Sequence, residues 1–299
     1  VSRKASAFPY KGFKSNLQHR AVARALASWR EESGKSLKEA SDAAKWSVAK
    51  TSMMQNAAYP ISEFDVAILA LVYGIEDDKR AAVYHGAQRA RDPQAYDRLP
   101  GAEPCIGWVY GEIAVEASHL RIVATDAFPY VVRTEGYADA VQNYCADSTT
   151  LWQRHQYGST VREHITRRLL QEESLHLHLV VSETLLRCVV GNALVMVDQL
   201  LWLMELTQRP NIKIQVTPNS VGRLAAASPF SIMTFREDRF DDVVYIENPH
   251  GSTWLEAQDA LEPYASIFDR LATNALSTDD TVEYIAEAAH LLQATNAEV

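Results

Sequence analysis

"SLKEASDAAKWSVAKTSMMQN", residues 36–56, decides how the first third of the chain is read. Ser36 and Glu39 form a capping box, in which the serine oxygen accepts from the backbone N–H three residues on and the glutamate reaches back. The helix they open is short, with Leu37, Ala40 and Ala44 on its apolar side. Small alanines there allow a second helix to cross closely. Trp46 closes a turn, and Ser47 caps the next helix, "VAKTSMMQN". Two short helices joined by such a turn form the helix-turn-helix that enters a major groove. The half that would face the bases, "SVAKTSMMQN", holds one positive charge, Lys50.

Flanking segments extend the pattern to five helices. "HRAVARALASWREESGK" (19–35) places Val22, Ala25, Leu26 and Trp29 on one face and ends at Gly34. After Pro60 and Ser62, "EFDVAILALVYGI" is expected to turn Phe64, Ile68, Leu69 and Val72 inward, and "DDKRAAVYHGAQRAR" reads as the fifth helix. The stretch "RDPQAYDRLPGAEP" has three prolines, a glycine and no apolar period. The expected division is a flexible arm at 1–18, a helix-turn-helix domain at 19–90, a linker at 91–104 and an α+β regulatory and dimerisation domain at 105–299.

Composition narrows the function classes. Of 299 residues, 47% are hydrophobic and 22% charged, as in a soluble globular protein. The start lacks the apolar run of a signal peptide, and "CVVGNALVMV" is about half a membrane span. Three cysteines far apart suit a reducing compartment. These features predict a cytoplasmic protein with no membrane partner. Net charge is −9, yet residues 1–90 carry 14 Lys/Arg against 9 Asp/Glu while residues 91–299 carry 15 against 29. A basic head on an acidic body suits phosphate binding by the head.

Beyond residue 105 the period varies. "GWVYGEIAVEASHLRIVATD" is read as helical, with Val109, Ile113, Leu120 and Ile122 inward; "TEGYADAVQNYC" puts Tyr137, Val141 and Tyr144 on one face. "LHLHLVVSE", "IKIQVTP", "FSIMTFRE" and "VVYIEN" alternate as strands, the last three as an antiparallel meander. "NALVMVDQLLWLMELTQ" is a long helix between the first two, and two helices close the chain, the last opened by Ser277. The fold class is therefore α+β and mostly helical: a five-helix head, then a small antiparallel sheet covered by helices.

The order W-S-x-x-K-x-S (Trp46, Ser47, Lys50, Ser52), P-x-S (Pro60, Ser62) and L-x-L-V-Y-G-I (Leu69 to Ile75) resembles xenobiotic-response-element-type (XRE) helix-turn-helix regulators of actinomycetes. "FPYVVRTEGYADAV", "SETLLRCVVGN", "RPNIKIQVTP", "SPFSIMTF", "DVVYIEN" and "FDRLATNALS" are similar to the C-terminal domain of unknown function in their WhiJ-like, antitoxin-like members. The resemblance implies a cytoplasmic transcriptional regulator that binds double-stranded DNA as a homodimer. It also implies a further partner, a small acidic protein encoded nearby. Residues 47–56 would lie in the major groove. Base-facing positions are Ser47, Val48, Ala49, Lys50, Met53 and Asn56, with Ser52 on the same helix; Lys35, Lys38, Lys45 and Lys50 would hold phosphates, Lys50 meeting either phosphate or guanine. Val48 and Ala49 suit thymine methyls, and Asn56 suits an adenine edge. Relatives carry Arg and a Glu-Arg-Gly triplet on this helix, where this chain has Val48, Met53 and Gln55-Asn56-Ala57. In the body, relatives read Pro-Gly-Leu-Leu-Gln-Thr where this chain reads Pro129-Tyr-Val-Val-Arg-Thr134.

No catalytic, cofactor or metal site is expected. His176 and His178 share a strand face, with Glu183 and Cys188 the nearest candidates for further ligands, but no complete metal set is spelled out. "REDRFDD" (236–242) lacks the spacing of a calcium loop and reads as a hairpin connection. Phosphate-loop, HExxH, GxSxG and kinase signatures are missing. Two alternatives stand beside the DNA reader. One is a protein-interaction module whose helix-turn-helix has lost base reading and offers Met53 and Met54 as a soft contact. The other is a small-molecule-gated regulator with a pocket lined by Trp108, Trp152, Trp202, Trp254 and Tyr245.

Overall fold

The computed structural model describes residues 13–91, 109–144, 163–171, 175–221, 228–238, 240–248 and 251–297. It divides into two compact units, Val1–Pro100 with Glu237–Asp241, and Gly101–Arg236 with Asp242–Val299.

The head is built from α1 (Leu17–Glu32), α2 (Leu37–Ala44), α3 (Val48–Gln55), α4 (Glu63–Tyr73) and α5 (Asp77–Arg89). Four of the five helices have a side-chain signal at their start; Glu76, before α5, makes no side-chain cap bond. Asn16 caps α1 by accepting from the His19 N–H, and its amide donates to the Ala90 carbonyl at 2.7 Å, tying the first helix to the end of the fifth. Ser36 and Glu39 form the expected capping box, and Ser62 with Asp65 forms a second one on α4. Val22, Leu26, Trp29, Ala40, Met54, Val66 and Leu69 are buried together. Part of the segment read as an arm at 1–18 belongs to this unit, because Ser15, Leu17 and Gln18 are buried. The segment read as a linker at 91–104 lies, from residue 92, outside the described residues.

Helix α4 is rotated from the expected face. Leu69 is buried, but Phe64 is 70% exposed and Ile68 38%; Val66, Ala70 and Tyr73 point inward instead. A helix apolar almost all round carries no periodic instruction about its inner face. Polar anchors set it here: Asp65 turns toward α3, and the Tyr73 hydroxyl meets Gln55 at 3.0 Å.

The body is α+β, as expected, with a larger sheet. Six strands, β1 (His119–Ala124), β2 (His176–Ser182), β3 (Ile212–Thr217), β4 (Phe230–Thr234), β5 (Val243–Asn248) and β6 (Gly251–Leu255), lie in the order β3-β2-β1-β4-β5-β6. β1, β2 and β3 pair in parallel, while β4, β5 and β6 form an antiparallel meander joined to β1. The sheet is thus mixed, and the meander runs β4-β5-β6 rather than beginning at β3. Helices are α6 (Val109–Glu116), α7 (Glu135–Tyr144), α8 (163–169), α9 (Glu183–Arg187), α10 (Ala193–Leu206), α11 (Gln258–Asn274) and α12 (Thr278–Ala297).

Two strands differ from the reading of the sequence. The sequence pattern groups "HLRIVA" with the preceding helix, but helix α6 stops at Glu116 and β1 becomes a central strand. Its Leu120 and Ile122 alternate with Arg121 and Val123, a period of two that a helical template also accommodates over so short a run. β6, "GSTWL", has only Thr253 and Trp254 as strong strand formers and is held by its register with β5. One sheet face packs Val123, Val180, Phe230, Ile232 and Val244 on Phe268 of α11.

Candidate nucleic-acid interface

The turn between α2 and α3 is made by backbone geometry that a lysine adopts at a cost. Lys45 sits in the left-handed region (φ 57°, ψ 39°), and the Trp46 N–H returns to the Ser41 carbonyl at 2.9 Å. A non-glycine residue there loses about 1 kcal/mol. The crossing of the two helices is bolted by a buried hydroxyl pair. Ser41 Oγ lies 2.8 Å from Thr51 Oγ1 and 2.6 Å from the Leu37 carbonyl, and both side chains are fully buried.

Helix α3 turns Thr51 and Met54 into the core. The opposite side carries Ser47, Val48, Ala49 and Asn56, all exposed, with Ser52 and Met53 half-buried beside them. Val48 is 44% exposed, a large apolar side chain presented to solvent at the helix start. The Ser47 hydroxyl accepts from the Lys50 N–H at 3.1 Å and so fixes the N-terminus of the helix. Asn56 folds back, its amide donating to the Ser52 carbonyl at 2.8 Å. The result is a surface of methyl groups and hydroxyls with no charge of its own. Met54 is fully buried, so the pair Met53–Met54 is not available as a contact surface.

Lys50 is drawn inward. Its ammonium is 2.9 Å from Asp65 Oδ1, 3.8 Å from the centroid of the Trp46 ring and 5.7 Å from that of Tyr59. Side-chain exposures of 25% for Lys50 and 15% for Asp65 make this a largely shielded pair. Burial pushes the Asp65 carboxyl up, but hydrogen bonds from Ser62 and Lys50 more than offset it and hold the pKa below the ordinary value. Lys50 therefore fastens the first turn of α3 to the start of α4.

Outside that cage, Lys38 and Lys45 are exposed and Lys35 is half-buried, interleaved with exposed Glu39 and Asp42. Gln55, where relatives have the Glu of their triplet, is internal: Arg30 Nε donates to its Oε1 at 2.9 Å and its Nε2 donates to the Tyr73 hydroxyl. Ala57, in the glycine position, takes φ 52° and donates to the Met54 carbonyl at the end of α3. Sequence reasoning missed two residues that shape this interface. Asp65 and Tyr59 complete the Lys50 cage, and only the Ser62-x-x-Asp65 capping pattern hinted at either.

In the body, the histidines, acid and cysteine singled out in the sequence lie in separate contacts. His178 Nε2 lies 2.8 Å from Gln215 Oε1, and His176 stacks on His119 with ring centroids 4.8 Å apart. Glu183 accepts from the Asn219 N–H and pairs with Arg187 at 3.1 Å, and Cys188 is exposed and free. No group of three or more His, Cys, Asp or Glu that could hold a metal ion is found there. Of the aromatics expected to line a pocket, Trp254 is buried against Tyr245 (4.6 Å) and Trp202 is half-buried; Trp108 and Trp152 lie outside the described residues. No described helix is long and apolar enough to cross a membrane.

A model of a helix-turn-helix domain matches residues 21–83, which span the face just described. A model of a domain of unknown function, DUF5753, matches residues 110–287. No curated protein and no solved structure matches the chain. A helix-turn-helix head is the DNA-binding element of regulators. Since the second match spans more than half of the sequence, the chain belongs to the DUF5753 family, with a helix-turn-helix domain preceding the family domain.

Proposed function

We propose that the protein is a sequence-specific transcriptional regulator whose α3 reads the major groove through methyl contacts rather than through arginine. The observation that carries this reading is the exposed side of α3, where Val48 and Ala49 stand beside Ser47, Ser52 and Asn56 while Lys50 is held by Asp65. Apolar side chains recognise the C5-methyl of thymine, and serine hydroxyls pair with donors or acceptors on base edges. Lys35, Lys38 and Lys45 anchor the backbone, which positions the helix without specifying sequence. The body would hold two heads at half-site spacing as a homodimer. Control through the body by a small acidic protein partner, as in antitoxin-like systems, completes the proposal. It contains no catalytic step.

The test is selection of duplexes from a random pool by the full-length protein, followed by replacement of thymine with uracil in the enriched sequence. Uracil keeps every hydrogen-bonding group and lacks only the methyl. Each buried methyl is worth about 0.8 kcal/mol, so removing the methyls that face Val48 and Ala49 is expected to weaken binding roughly tenfold. Enrichment of a sequence whose uracil form binds equally well contradicts methyl reading. Failure to enrich any sequence contradicts DNA reading itself.

A further inference from the structure

We infer that two copies of this chain meet through their heads, helix α4 of one lying antiparallel on helix α4 of the other. This pairing rests on the homodimer proposed above and fixes where its heads touch. Phe64, Ile68 and Leu71 stand at i, i+4 and i+7 of α4 and are 70%, 38% and 74% exposed. At the helical pitch they fall within about 60° of one another, on the side opposite Val66, Leu69 and Ala70, which are buried. Single apolar side chains at a surface need no explanation, but a continuous stripe along two turns marks a contact surface.

The charges at the two ends of the stripe select its occupant. At the N-terminal end Arg91 reaches Glu63 at 3.1 Å; the side chains are 59% and 13% exposed, so the charge facing outward is the guanidinium. At the C-terminal end Glu76 is exposed and makes no ion pair among the described residues, while its neighbour Asp77 is engaged by Arg80 at 2.8 Å. One rim of the stripe is therefore positive and the other negative. A two-fold axis beside Ile68 turns the helix end for end. Phe64 then meets Leu71 of the second copy, Ile68 meets its own counterpart, and each Arg91 faces the other copy's Glu76. A parallel pairing would set Arg91 against Arg91 and Glu76 against Glu76, and like charges in register repel. The stripe offers on the order of 300 Å² per copy, below the ~800 Å² per partner of a stable interface. It orients two heads that the body already holds together and supplies little affinity of its own.

Full-length protein carrying Cys105→Ser, Cys145→Ser and Cys188→Ser serves for the test, without DNA. Sedimentation velocity reads the dimer, and diamide oxidation of an added Ile68→Cys reads the pairing. Helices packed about 8–10 Å apart bring facing Cα atoms within disulfide reach. Ile68→Cys is expected to form an interchain disulfide roughly tenfold faster than Ala43→Cys, an exposed position on α2. Chains with Phe64→Cys and chains with Leu71→Cys are expected to cross-link mainly with each other when mixed. Glu76→Lys sets a cation against Arg91 of the other copy at both ends and is expected to slow the Ile68→Cys reaction severalfold. Adding Arg91→Glu is expected to restore the rate. A dimer in which Ile68→Cys reacts no faster than Ala43→Cys overturns the α4 pairing and leaves the homodimer standing. An unchanged rate in Glu76→Lys overturns the antiparallel register, and a monomer at all concentrations overturns both readings.

Discussion

At the scale of single residues, the head carries strain and shielding that make definite demands. Lys45 and Ala57 both occupy left-handed backbone where glycine is easier. Lys45→Gly is expected to raise stability by about 1 kcal/mol. With Lys45 on phosphate as proposed, the same change is expected to lower the salt slope of DNA binding by about one. A melting curve and a salt titration on one variant therefore move in opposite senses. At Ala57 the exchange is less favourable, because its methyl is buried and glycine would forfeit that contact. His19 makes a separate demand. Burial lowers its pKa from 6.5 to about 4, only partly opposed by a backbone hydrogen bond at Tyr59. Its Nε2 accepts from the Ile61 N–H at 3.1 Å, which requires the neutral ring and leaves the Nδ1 proton for Ser15 Oγ. The unfolded chain takes up this proton near pH 6.5 and the folded head does not until about pH 4, so stability falls as pH falls through that window. By pH 5 the loss relative to pH 7.5 is about 2 kcal/mol. Urea midpoints across this range should show it in the wild type, and His19→Gln should flatten the slope.

At the scale of elements, the α3–α4 junction is the joint on which the reading surface depends. Removing the ammonium in Lys50→Met strands the Asp65 carboxylate and should cost about 2 kcal/mol. Lys50→Met/Asp65→Asn should cost less than the two single changes together, with the coupling measured by a double-mutant cycle. Because the ammonium is spent inside the head, Lys50→Met should leave the salt slope of DNA binding unchanged. An altered slope would mean that Lys50 reaches phosphate after all. Four of the five helices of the head were legible because each begins with its own signal: Asn16, Ser36, Ser47 and Ser62 all bond to the first turn they precede, whereas α5 starts without a side-chain cap. The rotation of α4 was not, since tertiary hydrogen bonds to Asp65 and Tyr73 decide it. β1 was hidden for a related reason. Its six residues follow a helix with only Ala117 and Ser118 between, and its partners, β2 and β4, lie far along the chain. The positions of α3 in the interface were legible as a stretch; that its one cation is turned inward depends on Trp46, Tyr59 and Asp65 meeting in space.

At the scale of the whole molecule, the division of charge gives the DNA reading its physical conditions. The excess of Asp/Glu over Lys/Arg in residues 91–299 lowers non-specific attraction to DNA, and the small excess of cations in residues 1–90 leaves few phosphate contacts. Binding should therefore be modest, dependent on the α3 surface and weakened by salt with the shallow slope of a few phosphate contacts. The most direct measurement is fluorescence anisotropy of the full-length protein with the duplex upstream of its own gene, against random duplex, at two salt concentrations, for wild type, Val48→Glu and Lys50→Met. The expected result is tighter binding to the upstream duplex that weakens with salt, is lost in Val48→Glu and keeps its salt dependence in Lys50→Met. Equal or absent binding to both duplexes, or full binding by Val48→Glu, would contradict α3 as the reader.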